Sequence, residues 1–214
     1  MKLVIGNKNY SSWSLRAWLL LEYYQQNFEE QRIVLFADDM REHMENLCPN
    51  YKVPVLLDKG LKVWDSLAIC EYVNEQYLEN KAWPKDIQKR AHARSISAEM
   101  HSSFMSLRHD LPMNCRRTPS ALSLSENTLI DIQRMIDIWL NCLIQNKSEG
   151  GFLFGEFSIA DAMFMPAVSR FNSYCIEVPE QVKTYMQLML NLPAYKKWQM
   201  AAHAEVEVIE EEEV

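Results

Sequence analysis

Several features that would decide function outright are absent from this sequence of 214 residues. No apolar run approaches the ~20 residues that a membrane-spanning helix needs. No two cysteines stand at C-x-x-C spacing: Cys48, Cys70, Cys115, Cys142 and Cys175 are odd in number and widely separated. That argues against a disulfide framework, a cysteine zinc site and a dithiol redox motif, and leaves most of the thiols as buried, inert side chains. Clustered positive charge is missing as well. The formal net charge is −7, and phosphate binding needs grouped Lys and Arg, so no nucleic-acid partner is expected. The opening "MKLVIGNKNY" has an apolar stretch of only four residues, too short for a secretory leader. The expected address is the cytoplasm, with no membrane contact.

What is there is an ordinary soluble, globular composition, 48% apolar and 24% charged, long enough for one large domain or two small ones without staples. Short strand-like and helix-like segments alternate first. "KLVIG" (2–6) reads as a strand, and 12–26 as a helix with Leu15, Trp18, Leu19 and Glu22 at helical spacing. "EEQRIVLF" (29–36) reads as a strand and 38–48 as a helix with acids in its first turn. "VPVLLD" (53–58) and "LKVW" (61–64) flank Lys59-Gly60, a two-residue hairpin connection, and 65–78 is an amphipathic helix. The order is β-α-β-α-β-β-α. The polar stretch "ENKAWPKD" (79–86) reads as a linker. Beyond it the pattern is helical: one long helix over 87–111, a second over 126–146 ended by Gly150-Gly151, a third from about Ser158, and two more. The expected domains are 1–80 (α/β), 87–205 (all-α) and an acidic tail, 206–214, in which "EVEVIEEEEV" is expected to fray into solvent.

Three motifs carry chemistry. Ser11 and Ser12 stand directly before the first helix. Serine is a common N-cap, but a hydroxyl at the positive end of a helix could also stabilise an anion. Pro54 sits just inside a strand-like run, where proline belongs on an edge or at a bulge; whether its peptide bond is cis is open. Asp65 and Ser66 begin a helix and read either as a good cap or as a carboxylate receiver. Farther on, Ser158-x-x-Asp161 is a capping-box variant, with Pro166 inside the helix that follows.

Together, "VP" before the hairpin, "DS" at the last helix of the β/α unit and "FSIADAMFMPAVSRF" (157–171) resemble the glutathione S-transferases across essentially the whole chain, apart from the acidic tail. The resemblance is to bacterial members and to the serine-type zeta and theta classes. It implies a thioredoxin-like N-terminal domain followed by an all-α C-terminal domain, with glutathione as co-substrate and no metal. It places glutathione on Lys52, Val53, Pro54, Asp65 and Ser66, and the thiolate donor at Ser11, with Ser12 second and Tyr10 third. The zeta class opens its first helix with Ser-Ser-Cys-Ser; here the stretch is Ser11-Ser12-Trp13-Ser14. Trp13 at the cysteine position puts zeta isomerase chemistry in doubt, and Tyr51-Lys52 replaces the "GK" of many relatives. The second-substrate cleft is expected at Tyr10, Trp13, His101, Met105 and Arg108, holding a small hydrophobic electrophile. Arg16 reads as a surface charge or as an active-site ion-pair partner. A homodimer is implied, and detoxification is the usual setting.

The implied reaction is attack by glutathione thiolate; conjugation, isomerisation and peroxide reduction share that first step and stay open. Lowering a thiol pKa by about two units takes roughly 2.7 kcal/mol of preferential thiolate stabilisation. The alternative is a non-catalytic binding or regulatory protein of the same fold, of the RNA polymerase-associated type. A thiol-disulfide oxidoreductase is a third reading, weakened by the lack of a cysteine at the start of the first helix.

Overall fold

The computed structural model describes residues 1–146 and 150–214. Strands β1 (Lys2–Ile5), β2 (Glu29–Arg32), β3 (Val55–Asp58) and β4 (Leu61–Trp64) form one sheet in the order β2-β1-β3-β4. β1 and β2 run parallel through the crossover helix α1 (Ser12–Tyr23), whereas β3 is antiparallel to both β1 and β4. Lys59 and Gly60 both have positive φ, 48° and 84°, as a two-residue primed turn requires. Helix α2 (Met40–Glu45) and helix α3 (Ser66–Tyr77) complete the unit. The second half holds α4 (Ile87–Ser102), α5 (Met105–Asp110), α6 (Glu126–Gln145), α7 (Ile159–Ser173), α8 (Glu180–Leu190) and α9 (Pro193–His203). Among the described residues no helix is long and apolar enough to cross a membrane.

One core joins the halves. In α1, Ser12 and the whole run Ser14–Leu21 are buried. The helix packs against α3 of its own half and against α7 and α9 of the other. Trp18 and Trp198 of α9 meet edge-on, 5.2 Å between ring centroids. The Trp198 indole donates to the Lys8 carbonyl at 2.9 Å, and the Trp18 indole to Glu30 at 2.7 Å.

Four expectations change. The helix predicted over 87–111 breaks at Ser103-Phe104, where Phe104 is left-handed (φ 64°) with a buried ring. The break is held chemically: Arg108 folds back to donate to the Ser103 and Met100 carbonyls, and Asp131 accepts from Leu107 N at 3.0 Å. Those bonds satisfy main-chain groups that a helix end leaves unpaired. The strand predicted over 29–36 keeps its ladder only to Arg32. The linker is not wholly solvated, because Ala82 and Trp83 are buried and Ala82 bonds both Asn74 and Ile159. Finally, the acidic tail does not fray. Glu205 accepts from the main-chain N–H groups of Lys8 (2.7 Å) and Asn9 (3.0 Å), Arg32 pairs with Glu205 and Glu207, and Ile209 is buried. A short 3₁₀ turn follows at Glu210–Glu212. Cationic and N–H partners from the rest of the chain outweigh the mutual repulsion that the run's composition suggested.

The capping box forms around Asp161, whose carboxylate accepts from Ser158 N (2.9 Å), Ser158 Oγ (2.9 Å) and Leu153 N (3.1 Å). Asp161 is fully buried, and burial pushes its carboxyl up to about 6 despite those three donors. Asp161→Ala would orphan the buried N–H groups of Ser158 and Leu153. It should cost about 2 kcal/mol or more, read as a lowered urea midpoint; an unchanged midpoint would mean that the cap is dispensable.

Candidate functional site

The loop Gly6–Ser11 delivers the chain from β1 to α1, and Ser11 is the N-cap of α1. Its Oγ accepts from Ser14 N (3.4 Å) and lies 2.7 Å from Ser14 Oγ, a pair in which either hydroxyl can donate. Ser14, fully buried, also accepts from Gly6 N at 3.1 Å. Ser12 is the first helical residue and caps nothing.

Both serines open on a cleft of about 710 Å³ between the two halves of the chain. The same cleft is lined by Tyr10 and Trp13, by Lys52, Val53 and Pro54, by Asp65 and Ser66, and by His101 and Arg108. Eleven of the twelve residues singled out from the sequence thus meet in one place, although they come from segments up to about a hundred positions apart. The Val53–Pro54 bond is cis, and both residues precede β3, outside its register. Asp65 has positive φ (77°); its Oδ1 accepts from Leu67 N and Ala68 N, capping α3. Its Oδ2 faces His101 Nε2 at 3.0 Å, bridging the halves of the chain. Ser66 Oγ is buried and finds no hydrogen-bond partner among the described residues.

Met105 is the exception. It begins α5 beyond the Phe104 break, 70% exposed, and does not line the cleft. A continuous helix would have carried it elsewhere; the left-handed residue turns it out. Tyr10 lines the cleft, but its hydroxyl is committed. It donates to Glu213 (2.5 Å) and accepts from Arg116 (2.7 Å) and Ile209 N (3.3 Å), and burial raises its pKa.

Two features, Arg170 and Glu212, escaped the sequence reading, and Arg16 departs from the surface reading given to it beside the active-site one. Arg16 is not a surface charge: it is fully buried, its guanidinium 4.3 Å from the Trp13 ring centroid. Burial, reinforced by Arg108 and Arg170, lowers its pKa well below the usual value. Arg170 also lines the cleft, held by the carbonyls of Leu111 (2.7 Å) and Pro166 (3.4 Å). An arginine near the end of the largely apolar 162–171 run was the available signal. Glu212 of the tail lines the cleft too, and nothing local to a run of glutamates could have marked it. Leu35, Phe36, Met40, Asn50 and Tyr51 complete the wall; they lie in loops or at the start of a short helix, without periodicity to read.

The N-terminal domain of the glutathione S-transferases matches residues 10–76 as a family model. A probable maleylacetoacetate isomerase of Caenorhabditis elegans is 25% identical over 199 residues, 90% of this chain and 87% of that protein. The maleylacetoacetate isomerase of Mus musculus is 28% identical over 173 residues, 78% of this chain and 76% of its own. Among solved structures, a glutathione transferase homologue from Burkholderia with bound glutathione gives a TM-score of 0.74 at 22% identity, covering 95% of this chain and 98% of that one. A bacterial maleylpyruvate isomerase, a zeta-class glutathione S-transferase, gives 0.73 at 19% identity, covering 97% of this chain and 100% of its own. This is the glutathione S-transferase fold, and residues 10–76 match that family's N-terminal domain. The starts of α1 and α3 and the loops after β2 and before β3 build one wall of the cleft, and α4, α5 and α7 supply His101, Arg108 and Arg170 to the other.

His101 gives the cleft a titratable bridge. Burial lowers its pKa below 6.5, helped by Arg16 and Arg108 and opposed by Asp65. A histidine depressed on folding contributes stability that is complete above its unfolded value and is lost as the pH falls through the folded one. NMR titration of the His101 ring should therefore give a midpoint below 6.5. A midpoint at or above that value would mean that the Asp65 pair dominates burial.

Proposed function

We propose that this chain is a glutathione-dependent enzyme in which a serine at the start of α1 holds the glutathione sulfur as thiolate for attack on a small electrophile. The observation that carries this reading is the convergence of Ser11, Ser12, Val53-Pro54 and Asp65-Ser66 on one cleft. The names of the relatives, glutathione transferases and maleylacetoacetate isomerases, support it.

In this reading the Val53 main chain pairs with the backbone of the tripeptide. Ser66 Oγ and the N–H groups at the start of α3 take its α-carboxylate, with Asp65 and Lys52 at the edges. The Ser11 hydroxyl donates to sulfur. Ser14 is its positioning residue: accepting from Gly6 N and donating to Ser11 Oγ, it leaves the Ser11 proton free to turn into the cleft. The N-terminal end of α1 adds the helix dipole to the same charge. The thiol proton leaves to solvent, the thiolate attacks the electrophile, and catalysis rests on positioning and pKa depression rather than on a covalent enzyme intermediate. Trp13 floors the second-substrate side with His101 edge-on to it at 5.1 Å between ring centroids. Conjugation with a displaced leaving group is the reaction we favour, because Trp13 stands where the zeta class has cysteine. A cytoplasmic homodimer completes the reading.

Two measurements test it. Titration of the glutathione thiol by its thiolate absorbance, at saturating protein, should give a pKa well below the free value of about 8.5. Ser11→Ala should lower turnover of 1-chloro-2,4-dinitrobenzene by about 10²-fold, as loss of a preorganised donor does, with glutathione affinity within a few-fold. Ser12→Ala should change turnover far less. Equal losses in the two variants would move the role off Ser11, and an unshifted thiol would favour a binding protein.

A further inference from the structure

The acidic segment 205–213 enters the substrate cleft rather than solvent. Its anchors lie on both halves of the chain. Glu205 caps the Lys8 and Asn9 amides of the loop that leads to the serines. The Arg116 guanidinium donates to the carbonyls of Glu205 (2.6 Å) and Glu207 (2.7 Å) and to the Tyr10 hydroxyl (2.7 Å). Ile209 is buried, and Glu213 accepts a hydrogen bond from the Tyr10 hydroxyl. Between these anchors Glu212 becomes part of the cleft wall.

That wall is cationic. Arg108 and Arg170 both line the cleft, and Arg16 lies behind Trp13, with no salt bridge to any of the three among the described residues. The guanidinium groups of Arg108 and Arg170 are fixed by main-chain carbonyls, so their orientation does not depend on a carboxylate partner. Glu212 and Arg170 act on one another electrostatically, without direct ion contact. A half-buried carboxylate with no ion pair of its own among the described residues, beside guanidinium groups fixed by carbonyls, can give way to another carboxylate.

We propose that residues 205–213 form a displaceable strap whose Glu212 carboxylate is the internal occupant of an anion-accepting corner of the cleft, at Arg170 and Arg108. A ligand bearing a carboxylate enters by exchanging with Glu212 and loosening the strap, while neutral ligands leave it in place. The strap therefore selects by charge and holds the Tyr10–Ser12 loop until an anionic ligand arrives. This deepens the proposed function by naming the regulation and ligand charge of the same cleft, but its test needs no turnover.

The probes are 4-nitrobenzoate and its neutral counterpart 4-nitrobenzamide, bound to the full chain and followed by calorimetry. Glu212→Gln should tighten 4-nitrobenzoate by about five-fold and leave the amide unchanged, because the competing closed state is weakened for one ligand only. Glu207→Gln, which loosens an anchor outside the cleft, should act in the same direction. In the wild type, saturation with 4-nitrobenzoate should speed amide hydrogen exchange across 207–213, and the amide probe should not. Three outcomes overturn the proposal: equal effects of Glu212→Gln on both probes, no binding of 4-nitrobenzoate to either protein, or tighter binding without faster exchange in the strap. Glutathione titrated into the same samples separates the two readings, since its failure to bind removes the proposed function and leaves the strap result standing.

Discussion

Helix α1 is the part on which everything else rests. It is buried on almost every side, packed against α3 of the first half and against α7 and α9 of the second. A helix so enclosed cannot shift without opening both halves of the core, where packing tolerates little change in volume. Its N-terminal end, with Ser11, Ser12 and Ser14, is therefore among the best-fixed points of the molecule. The cation–aromatic cluster beside it, Lys8 against Trp18 and Trp198 at 5.1 and 5.5 Å, ties the preceding loop to α9. Preorganised donors cost no rearrangement at the moment they are needed, and this burial is how the chain preorganises them.

The cleft is built by opposed demands. On the sheet side, polar groups face inward with main-chain donors near the start of α3. On the helical side, Arg108 and Arg170 bring positive charge to a partly dry wall, with Arg16 behind it. Burying cations is costly unless something offsets it. Here main-chain carbonyls hold Arg108 and Arg170, the Trp13 ring faces Arg16 and Arg108, and Asp65 and Glu212 lie close enough to act electrostatically. The break at Phe104 belongs to the same economy of contacts, because it frees Arg108 to turn back to the end of α4 while its charge faces the cleft.

Local pattern carried much of this into the sequence. Hairpin residues Lys59-Gly60, the caps at Ser11 and Asp65, and the Ser158–Asp161 pair all act within a few positions of chain, so their residue types announce them. The β-α-β-α-β-β-α order follows from periodicity of the same range. The mistakes share a different cause. Met105 left the cleft, Arg16 went inside and the acidic segment folded down because distant residues decided each one: Asp131 at the break before α5, the α7 and α9 helices packed over α1, and Arg116 with Arg32.

By itself, then, the sequence determined the succession of strands and helices, the capping serines and aspartates, and the serine pair ahead of α1. These depend on backbone preferences and hydrogen bonds that close within one turn. Only the tertiary structure decided that the serines share a cleft with Val53, Asp65 and His101, that Arg16 and Arg170 charge its wall, and that Glu212 reaches into it. Those facts depend on contacts between residues as much as two hundred positions apart, where burial can reverse what composition alone suggests about a charge.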